Sequence, residues 1–174
     1  MDGGYGDSTR SVKSVGVEPI PGQPIAPMPV PASTFYLSPD ETEPLDSYGR
    51  SSNPSWRQLE SALAELEGAA AALTFGSGMA AITSTLRVLC KPGTTLVVPA
   101  DGYYQVRRDA AEYLAPQGIT VIEARTAEMC EAAQAADVVL AETPTNPGMD
   151  VVDLYRLAMT CRARGATLVV DTTT

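Results

Sequence analysis

Short apolar runs alternate with amphipathic stretches from Ser52 to the end of the chain. Continuous apolar runs are typical of strands buried on both faces, whereas apolar residues that recur every three or four positions are typical of helices. The runs predict strands near residues 71–75, 95–98, 120–122, 137–141 and 166–170. The amphipathic stretches predict helices near residues 54–68, 80–90, 104–115, 127–135 and 152–164. This alternation predicts an α/β fold in which helices flank a mostly parallel sheet.

Residues 1–47 have a different pattern, because prolines recur there and few long aliphatic residues stand between them. The prolines are at positions 19, 21, 24, 27, 29, 31, 39 and 44. This composition favours extended polyproline II structure and does not form a packed core alone. We therefore expect a proline-rich flexible arm over 1–47 and an α/β domain over 48–174. The segment is expected to be a tail or an arm that lies on another subunit, although its PxxP spacing also fits an SH3-type partner.

Polar or glycine-rich groups follow four of the predicted strands. They are Gly76–Met79, Asp101–Tyr103, Glu142–Asn146 and Asp171. In parallel α/β sheets, ligands bind in the crevice outside the carboxyl ends of the strands. Convergence of these groups at one edge of the sheet predicts a ligand site there.

The glycine-rich turn Phe75-Gly76-Ser77-Gly78-Met79 stands directly before a predicted helix. A helix N-terminus leaves backbone N–H groups without an intrahelical acceptor, and the helix dipole adds partial positive charge. The turn therefore predicts a phosphate-binding site.

Composition narrows the chemistry that this site can perform. The chain has 174 residues and a net charge of −9, which argues against nucleic-acid or anionic-membrane partners. Histidine is absent and the three cysteines have no CxxC spacing, so no metal site is expected. No apolar run approaches the roughly 18 residues of a membrane span, and the expected location is cytoplasmic.

Two interpretations of the glycine turn stay open at this point. In the first, Gly76 and Gly78 form a loose dinucleotide fingerprint and Asp101 binds the ribose, as in an NAD(P)-dependent oxidoreductase. In the second, the Gly78 and Met79 amides hold a phosphate and the carboxylate of Asp171 meets a protonated pyridine nitrogen.

The second interpretation also gives roles to residues at two other strand ends. The Tyr103 ring would stack on a flat cofactor, and Asn146 would donate to its phenolic oxygen. Purely structural alternatives remain: Asp171 as a helix cap or arginine partner, Tyr103 as a core residue, and Asn146-Pro147 as a turn.

Five ordered motifs together resemble the cystathionine γ-lyase/γ-synthase family of pyridoxal-phosphate enzymes in cysteine and methionine metabolism. The matching stretches are Tyr48-Gly49-Arg50-Ser51-Ser52-Asn53-Pro54, Phe75-Gly76-Ser77-Gly78-Met79-Ala80-Ala81, Asp101-Gly102-Tyr103, Glu142-Thr143-Pro144-Thr145-Asn146-Pro147 and Val169-Val170-Asp171. The resemblance covers about residues 30–174. It implies an incomplete fold-type I, aminotransferase-like large domain with an extended N-terminal arm.

The same resemblance implies pyridoxal 5'-phosphate as cofactor, a small amino-acid substrate and elimination or replacement at its γ-carbon. The implied cofactor contacts are Tyr48, Arg50, Gly78, Met79, Tyr103, Asn146 and Asp171. Tyr48 and Arg50 would reach the phosphate of a neighbouring subunit in a homo-oligomer, a dimer of dimers. Tyr103 is also the implied catalytic residue, through proton handling near the substrate.

Two departures from the family pattern change the expectation for this chain. Family members continue Asp-Asn-Thr, whereas here the sequence is Asp171-Thr172-Thr173-Thr174. The Schiff-base lysine of the family lies some tens of residues beyond the matching Asp, and neither Lys13 nor Lys91 is a sensible substitute. We expect an N-terminal part of such an enzyme with little or no turnover alone. A non-catalytic remnant or subunit-pairing module is the remaining alternative.

Overall fold

The computed structural model describes residues 6–12, 20–22, 24, 26–37, 39 and 46–174. The chain forms two compact units, Met1–Thr74 and Phe75–Thr174. The predicted boundary between an arm and a domain at residue 47 stays a prediction. Lys13 lies outside the described residues.

In the second unit, the described residues form a four-stranded sheet, and its neighbouring strands are all parallel. The strands are β1 (Thr95–Pro99), β2 (Thr120–Ala124), β3 (Val138–Glu142) and β4 (Thr167–Asp171), in the spatial order β2-β1-β3-β4. Every residue of β3 is buried, as expected for a central strand covered on both faces. The predicted α/β fold with a parallel sheet is confirmed.

The α-helices of the described residues are α1 (Asp7–Val12), α2 (Pro54–Leu66), α3 (Gly78–Leu89), α4 (Tyr104–Asp109), α5 (Met129–Ala132) and α6 (Leu154–Arg164). Beyond α4 the chain continues through a π-helical turn at Ala110–Leu114 and a 3₁₀ turn at Ala115–Gln117. The predicted helix near 127–135 is α5 flanked by 3₁₀ turns at Thr126–Glu128 and Ala133–Ala135.

Two hydrophobic clusters cover the two faces of this sheet. Leu96 and Val98 of β1 belong to one cluster, with Leu86 of α3 and Val106 of α4. Val97, between them in sequence, belongs to the other, whose further members include Leu157 and Cys161 of α6, and Met129 and Ala133 from the segment around α5. Successive side chains of a strand point to opposite faces, so the two clusters are two layers of core. The carboxyl ends of the strands emerge from between these layers.

In the first unit, hydrogen bonds join part of the proline-rich region to the start of α2. Asn53 caps the helix, since its side chain accepts a hydrogen bond from Ser55 N–H at 2.8 Å. Asn53 Nδ2 also donates to the carbonyls of Val30 at 3.0 Å and Ala32 at 3.3 Å, and Ser55 Oγ accepts from Val30 N–H at 2.9 Å. The predicted N-cap at Asn53–Pro54 is therefore confirmed. The same Asn53 side chain also binds the proline-rich region at Val30 and Ala32.

The predicted strand near 71–75 is wrong. These residues form no regular element, and Leu73 is 74% exposed. A strand needs a neighbour for its backbone hydrogen bonds, and the sheet of the described residues does not include this run. The two alanines of the run, Ala71 and Ala72, add little preference for a strand.

Among the described residues, no helix has the length and apolar character needed to cross a bilayer.

Candidate functional site

The N-terminus of α3 presents two backbone donors to its surroundings. Ser77 caps this helix: its Oγ accepts from Ala80 N–H at 3.1 Å, and its carbonyl accepts from Ala81 N–H at 3.1 Å. Helix geometry gives the first N–H groups, those of Gly78 and Met79, no intrahelical acceptor. With the dipole of a twelve-residue helix behind them, these two amides suit an anion such as phosphate.

The glycines of this turn are not required by the backbone around them. A Cβ added at Gly76 or Gly78 would meet no other protein atom within 4 Å, and neither residue has a positive φ. Gly78 lines a cavity, whereas Gly76 does not line it. The missing side chain at Gly78 therefore leaves space in the cavity directly beside the two amides.

This cavity has a volume of about 350 Å³, within the usual range for small-molecule sites. Its lining residues come from the first turns of α3 and from the ends of β1, β3 and β4. They are Ser77, Gly78, Met79, Ile82, Tyr103, Glu142, Asn146, Asp171, Thr173 and Thr174. The structure thus brings five of the seven predicted cofactor contacts together: Gly78, Met79, Tyr103, Asn146 and Asp171.

Tyr103 stands at the start of α4, just beyond the end of β1. Its partly buried side chain packs against the first core cluster, and its ring meets the Tyr104 ring edge-on at a centroid distance of 5.2 Å. The Tyr103 N–H donates to Glu142 Oε2 at 2.6 Å. Packing and this hydrogen bond hold Tyr103 at the cavity that it lines.

Asn146 lies on a loop that three buried polar side chains brace. Glu142 Oε1 accepts from Asn146 N–H at 2.7 Å, Thr143 Oγ1 from Val152 N–H at 3.2 Å, and Thr145 Oγ1 from Asp150 N–H at 3.0 Å. Thr145 is 0% exposed, so its hydroxyl bonds within the protein and not to solvent. The exposed Asn146 side chain is therefore presented by a loop with an ordered backbone.

Asp171 is the last residue of β4 and pairs with Glu142 of β3. Its carbonyl accepts from Thr143 N–H at 3.0 Å, and its Oδ1 accepts from both the N–H and the hydroxyl of Thr173. Asp171 is partly buried and lines the same cavity as the N-terminus of α3. A carboxylate and anion-binding amides in one cavity suit a flat ligand with a cationic ring nitrogen and a phosphate.

Tyr48 and Arg50 belong to the first unit and are not among the residues that line this cavity. The Arg50 guanidinium lies 5.0 Å from the centroid of the Tyr48 ring, a cation–π arrangement. Tyr48 also forms an isolated antiparallel bridge with Thr34, and Gly49 N–H donates to Ser33 O at 2.8 Å. Their predicted role toward a neighbouring subunit stays a prediction.

The dinucleotide interpretation loses its acidic residue. Both carboxylate oxygens of Asp101 accept hydrogen bonds from Thr126: its N–H donates to them at 3.1 and 3.0 Å and its hydroxyl to Oδ1 at 3.1 Å. Asp101 therefore joins the end of β1 to the turn after β2, which gives its carboxylate a structural role.

Sequence reasoning assigns no role to five residues that line the cavity: Ser77, Ile82, Glu142, Thr173 and Thr174. Glu142 is the most informative of them, because it is only 6% exposed and bonds two predicted site residues. Like Asp171, it is a carboxylate at the end of an apolar strand, and the sequence places it in the predicted group Glu142–Asn146 without giving it a role of its own.

Comparison with known proteins gives one consistent result. The family described as "Cys/Met metabolism PLP-dependent enzyme" matches residues 23–174. A Streptomyces coelicolor protein, provisionally named a cystathionine gamma-lyase, is 42% identical over 174 residues, 97% of this chain and 44% of that protein. The L-methionine gamma-lyase of Pseudomonas putida is 37% identical over 72% of this chain and 33% of its own length.

Solved structures show the same likeness. The cystathionine gamma synthase of Xanthomonas oryzae pv. oryzae, crystallised with aminoacrylate and cysteine, superposes with a TM-score of 0.83 at 31% identity. The superposition covers 97% of this chain and 45% of that one. The chain thus spans less than half the length of the proteins it matches, and its fold is that of the matching part of pyridoxal-phosphate enzymes of fold type I.

Proposed function

The chain belongs to the Cys/Met metabolism PLP-dependent enzyme family, and from that premise we propose that it binds pyridoxal 5'-phosphate as part of a cystathionine γ-lyase or γ-synthase type enzyme. One observation carries the proposal: five residues predicted to contact the cofactor line one cavity, although they come from four separate segments of the chain. The NAD(P)-dependent alternative is not supported, since the matched family uses pyridoxal phosphate.

The five predicted contacts that line the cavity each fit this cofactor chemically. The Gly78 and Met79 amides would bind the phosphate, which the α3 dipole also favours. The carboxylate of Asp171 would hold the proton on the pyridine nitrogen, Tyr103 would stack on the ring, and Asn146 would donate to the phenolic oxygen. When bound, pyridoxal phosphate supplies an electron sink for negative charge that develops on an amino-acid substrate.

Tyr103 is the proposed catalytic residue of this chain. Its hydroxyl would hold or move a proton near the substrate while its ring stays against the cofactor face. The substrate is proposed to be a small amino acid, with elimination or replacement at the γ-carbon. Assembly into a homo-oligomer, with Tyr48 and Arg50 reaching a neighbouring subunit's phosphate, and a cytoplasmic location belong to the same proposal.

The chain alone is proposed to have little or no turnover, because Lys91, the one lysine among the described residues, does not line the cavity. Lys91 follows α3 at its carboxyl end. The twelve residues of α3 place that end about 18 Å from Gly78, at about 1.5 Å per residue. This chain would therefore hold the ring and the phosphate without supplying the amine that family members use.

The test is a calorimetric titration of the purified chain with pyridoxal 5'-phosphate, pyridoxal and NAD⁺. We expect pyridoxal 5'-phosphate to bind at least about tenfold more tightly than pyridoxal, because charge-assisted hydrogen bonds to the phosphate are strong. Equal affinity for the two, or tighter binding of NAD⁺, would contradict the proposal. Absence of binding of all three would favour the subunit-pairing module instead.

Gly78→Ala and Gly76→Ala are the matched variants for this titration. Both added methyl groups are free of protein contacts, but only that at Gly78 lies in the cavity. Gly78→Ala should weaken pyridoxal 5'-phosphate binding about tenfold or more, with little change for Gly76→Ala. Unchanged binding by Gly78→Ala would place the phosphate elsewhere.

A further inference from the structure

Glu142 bridges the two loops that carry Tyr103 and Asn146. Its Oε2 accepts a hydrogen bond from Tyr103 N–H at 2.6 Å, and its Oε1 accepts one from Asn146 N–H at 2.7 Å. The residue is 6% exposed and lines the cavity. A buried carboxylate is costly unless its oxygens are hydrogen-bonded, and here each oxygen has one backbone donor.

The loop before α4 is shaped to admit this carboxylate. A Cβ at Gly102 would lie 2.4 Å from Glu142 Oε2 and 2.8 Å from Pro99 Cγ, so only glycine leaves the space that the carboxylate occupies. Arg107 Nη1 donates to the Gly102 carbonyl at 2.7 Å and fixes the same peptide from its other side. Tyr103 N–H is therefore held toward Glu142 by the tight fit at Gly102 and by the Arg107 side chain.

We propose that Glu142 is a positioning residue that sets the spacing between the Tyr103 ring and Asn146. A flat aromatic ligand must be contacted on its face by Tyr103 and at its edge by Asn146, so the relative placement of the two loops decides whether both contacts form together. Glu142 acts on this placement through two backbone amides and does not itself contact the reacting atoms. This inference rests on the proposed cofactor site.

The Glu142→Gln variant tests the hydrogen bonds of the Glu142 carboxylate separately from the space that the side chain fills. Glutamine has almost the same shape, but it offers one acceptor oxygen and an NH₂ group that cannot accept from an amide N–H. One of the two bridges must therefore be lost while packing is kept. Thr143→Val is the matched control, because it removes a buried hydrogen bond from the same loop, that to Val152 N–H, without touching Tyr103 or Asn146.

The first readout is amide hydrogen exchange of the whole chain by NMR, without any cofactor. Glu142→Gln should speed exchange at Tyr103 or Asn146 about tenfold or more, whereas Thr143→Val should leave both amides unchanged. If both amides stay protected in Glu142→Gln, the bridge is refuted. This measurement does not depend on whether the chain binds pyridoxal phosphate.

The second readout compares the affinity for pyridoxal 5'-phosphate with that for inorganic phosphate. Glu142→Gln should weaken pyridoxal 5'-phosphate binding about tenfold or more and leave phosphate binding unchanged, because the Gly78 and Met79 amides are not altered. Unchanged affinity for pyridoxal 5'-phosphate, or equal losses for both ligands, would overturn the positioning role. If the unaltered chain bound no pyridoxal 5'-phosphate, the proposed function would fail while the exchange result still decided the bridge.

Should Glu142→Gln not fold, Glu142→Asp keeps the charge and both acceptors on a side chain that is one methylene shorter. It should reach one loop but not both, so one of the two amides loses its protection. Full protection at both amides in this variant would equally refute the bridge.

Discussion

Asn53 combines two tasks that are often carried by separate residues. Its Oδ1 caps α2, and its Nδ2 donates to two carbonyls of the proline-rich region, those of Val30 and Ala32. The side chain is 7% exposed, so solvent cannot readily replace these bonds. An aspartate at this position would keep the cap but turn a negative oxygen toward both carbonyls.

Asn53→Ala should lower the free energy of unfolding of the first unit by about 2 kcal/mol, the sum of a lost cap and lost buried hydrogen bonds. Asn53→Asp should lose nearly as much, because the arm contacts become repulsive. Urea unfolding followed by the fluorescence of Trp56, the single tryptophan of the chain, measures both variants. If Asn53→Asp were as stable as the unaltered protein, the arm contacts would contribute nothing.

At the scale of elements, α6 shows how one helix divides its residues between core and surface. Leu157 is 0% exposed and lies in the second core cluster, whereas Leu154, one turn earlier, is 36% exposed. Both are leucines in the same helix, and alanine is a good helix former, so truncating each to alanine compares mainly their burial.

Leu157→Ala should destabilise the second unit by about 2–5 kcal/mol, since a buried leucine leaves a cavity when it is truncated. Leu154→Ala should cost about 0.5 kcal/mol or less, as is usual for surface positions. Urea unfolding followed by far-UV circular dichroism gives both values. Similar losses for the two variants would show that the face carrying Leu154 is covered in solution.

The order of elements in the second unit follows from hydrophobic pattern, because a strand such as β3 is apolar through most of its length and α3 has a single apolar face. The same hydrophobic pattern wrongly predicts a strand at residues 71–75. Periodicity describes side chains, whereas a strand also needs a neighbouring backbone, which no local pattern reveals. The positioning role of Glu142 escapes sequence reasoning for a related reason, since one of its two partners, Tyr103, lies 39 positions away in sequence.

At the scale of the whole molecule, the described residues that line the cavity offer groups for the ring and the phosphate but no amine. Lys91 is exposed at the far end of α3, where its N–H donates to Thr94 Oγ1 in a turn. Among the described residues it is the only lysine. Lys91 therefore supplies no amine to the cavity.

We expect the purified chain, saturated with pyridoxal 5'-phosphate, to release no detectable ammonia or 2-oxo acid from cystathionine or methionine. Lys91→Ala should leave cofactor binding unchanged, because Lys91 is remote from the cavity, and borohydride reduction should attach no cofactor at Lys91 within the cavity-bound complex. Mass spectrometry of the reduced protein locates any attachment. Turnover that persists in Lys91→Ala would show that this fold performs the chemistry without the family's lysine. Turnover that Lys91→Ala abolishes would show that α3 and the turn after it move far from the positions described above.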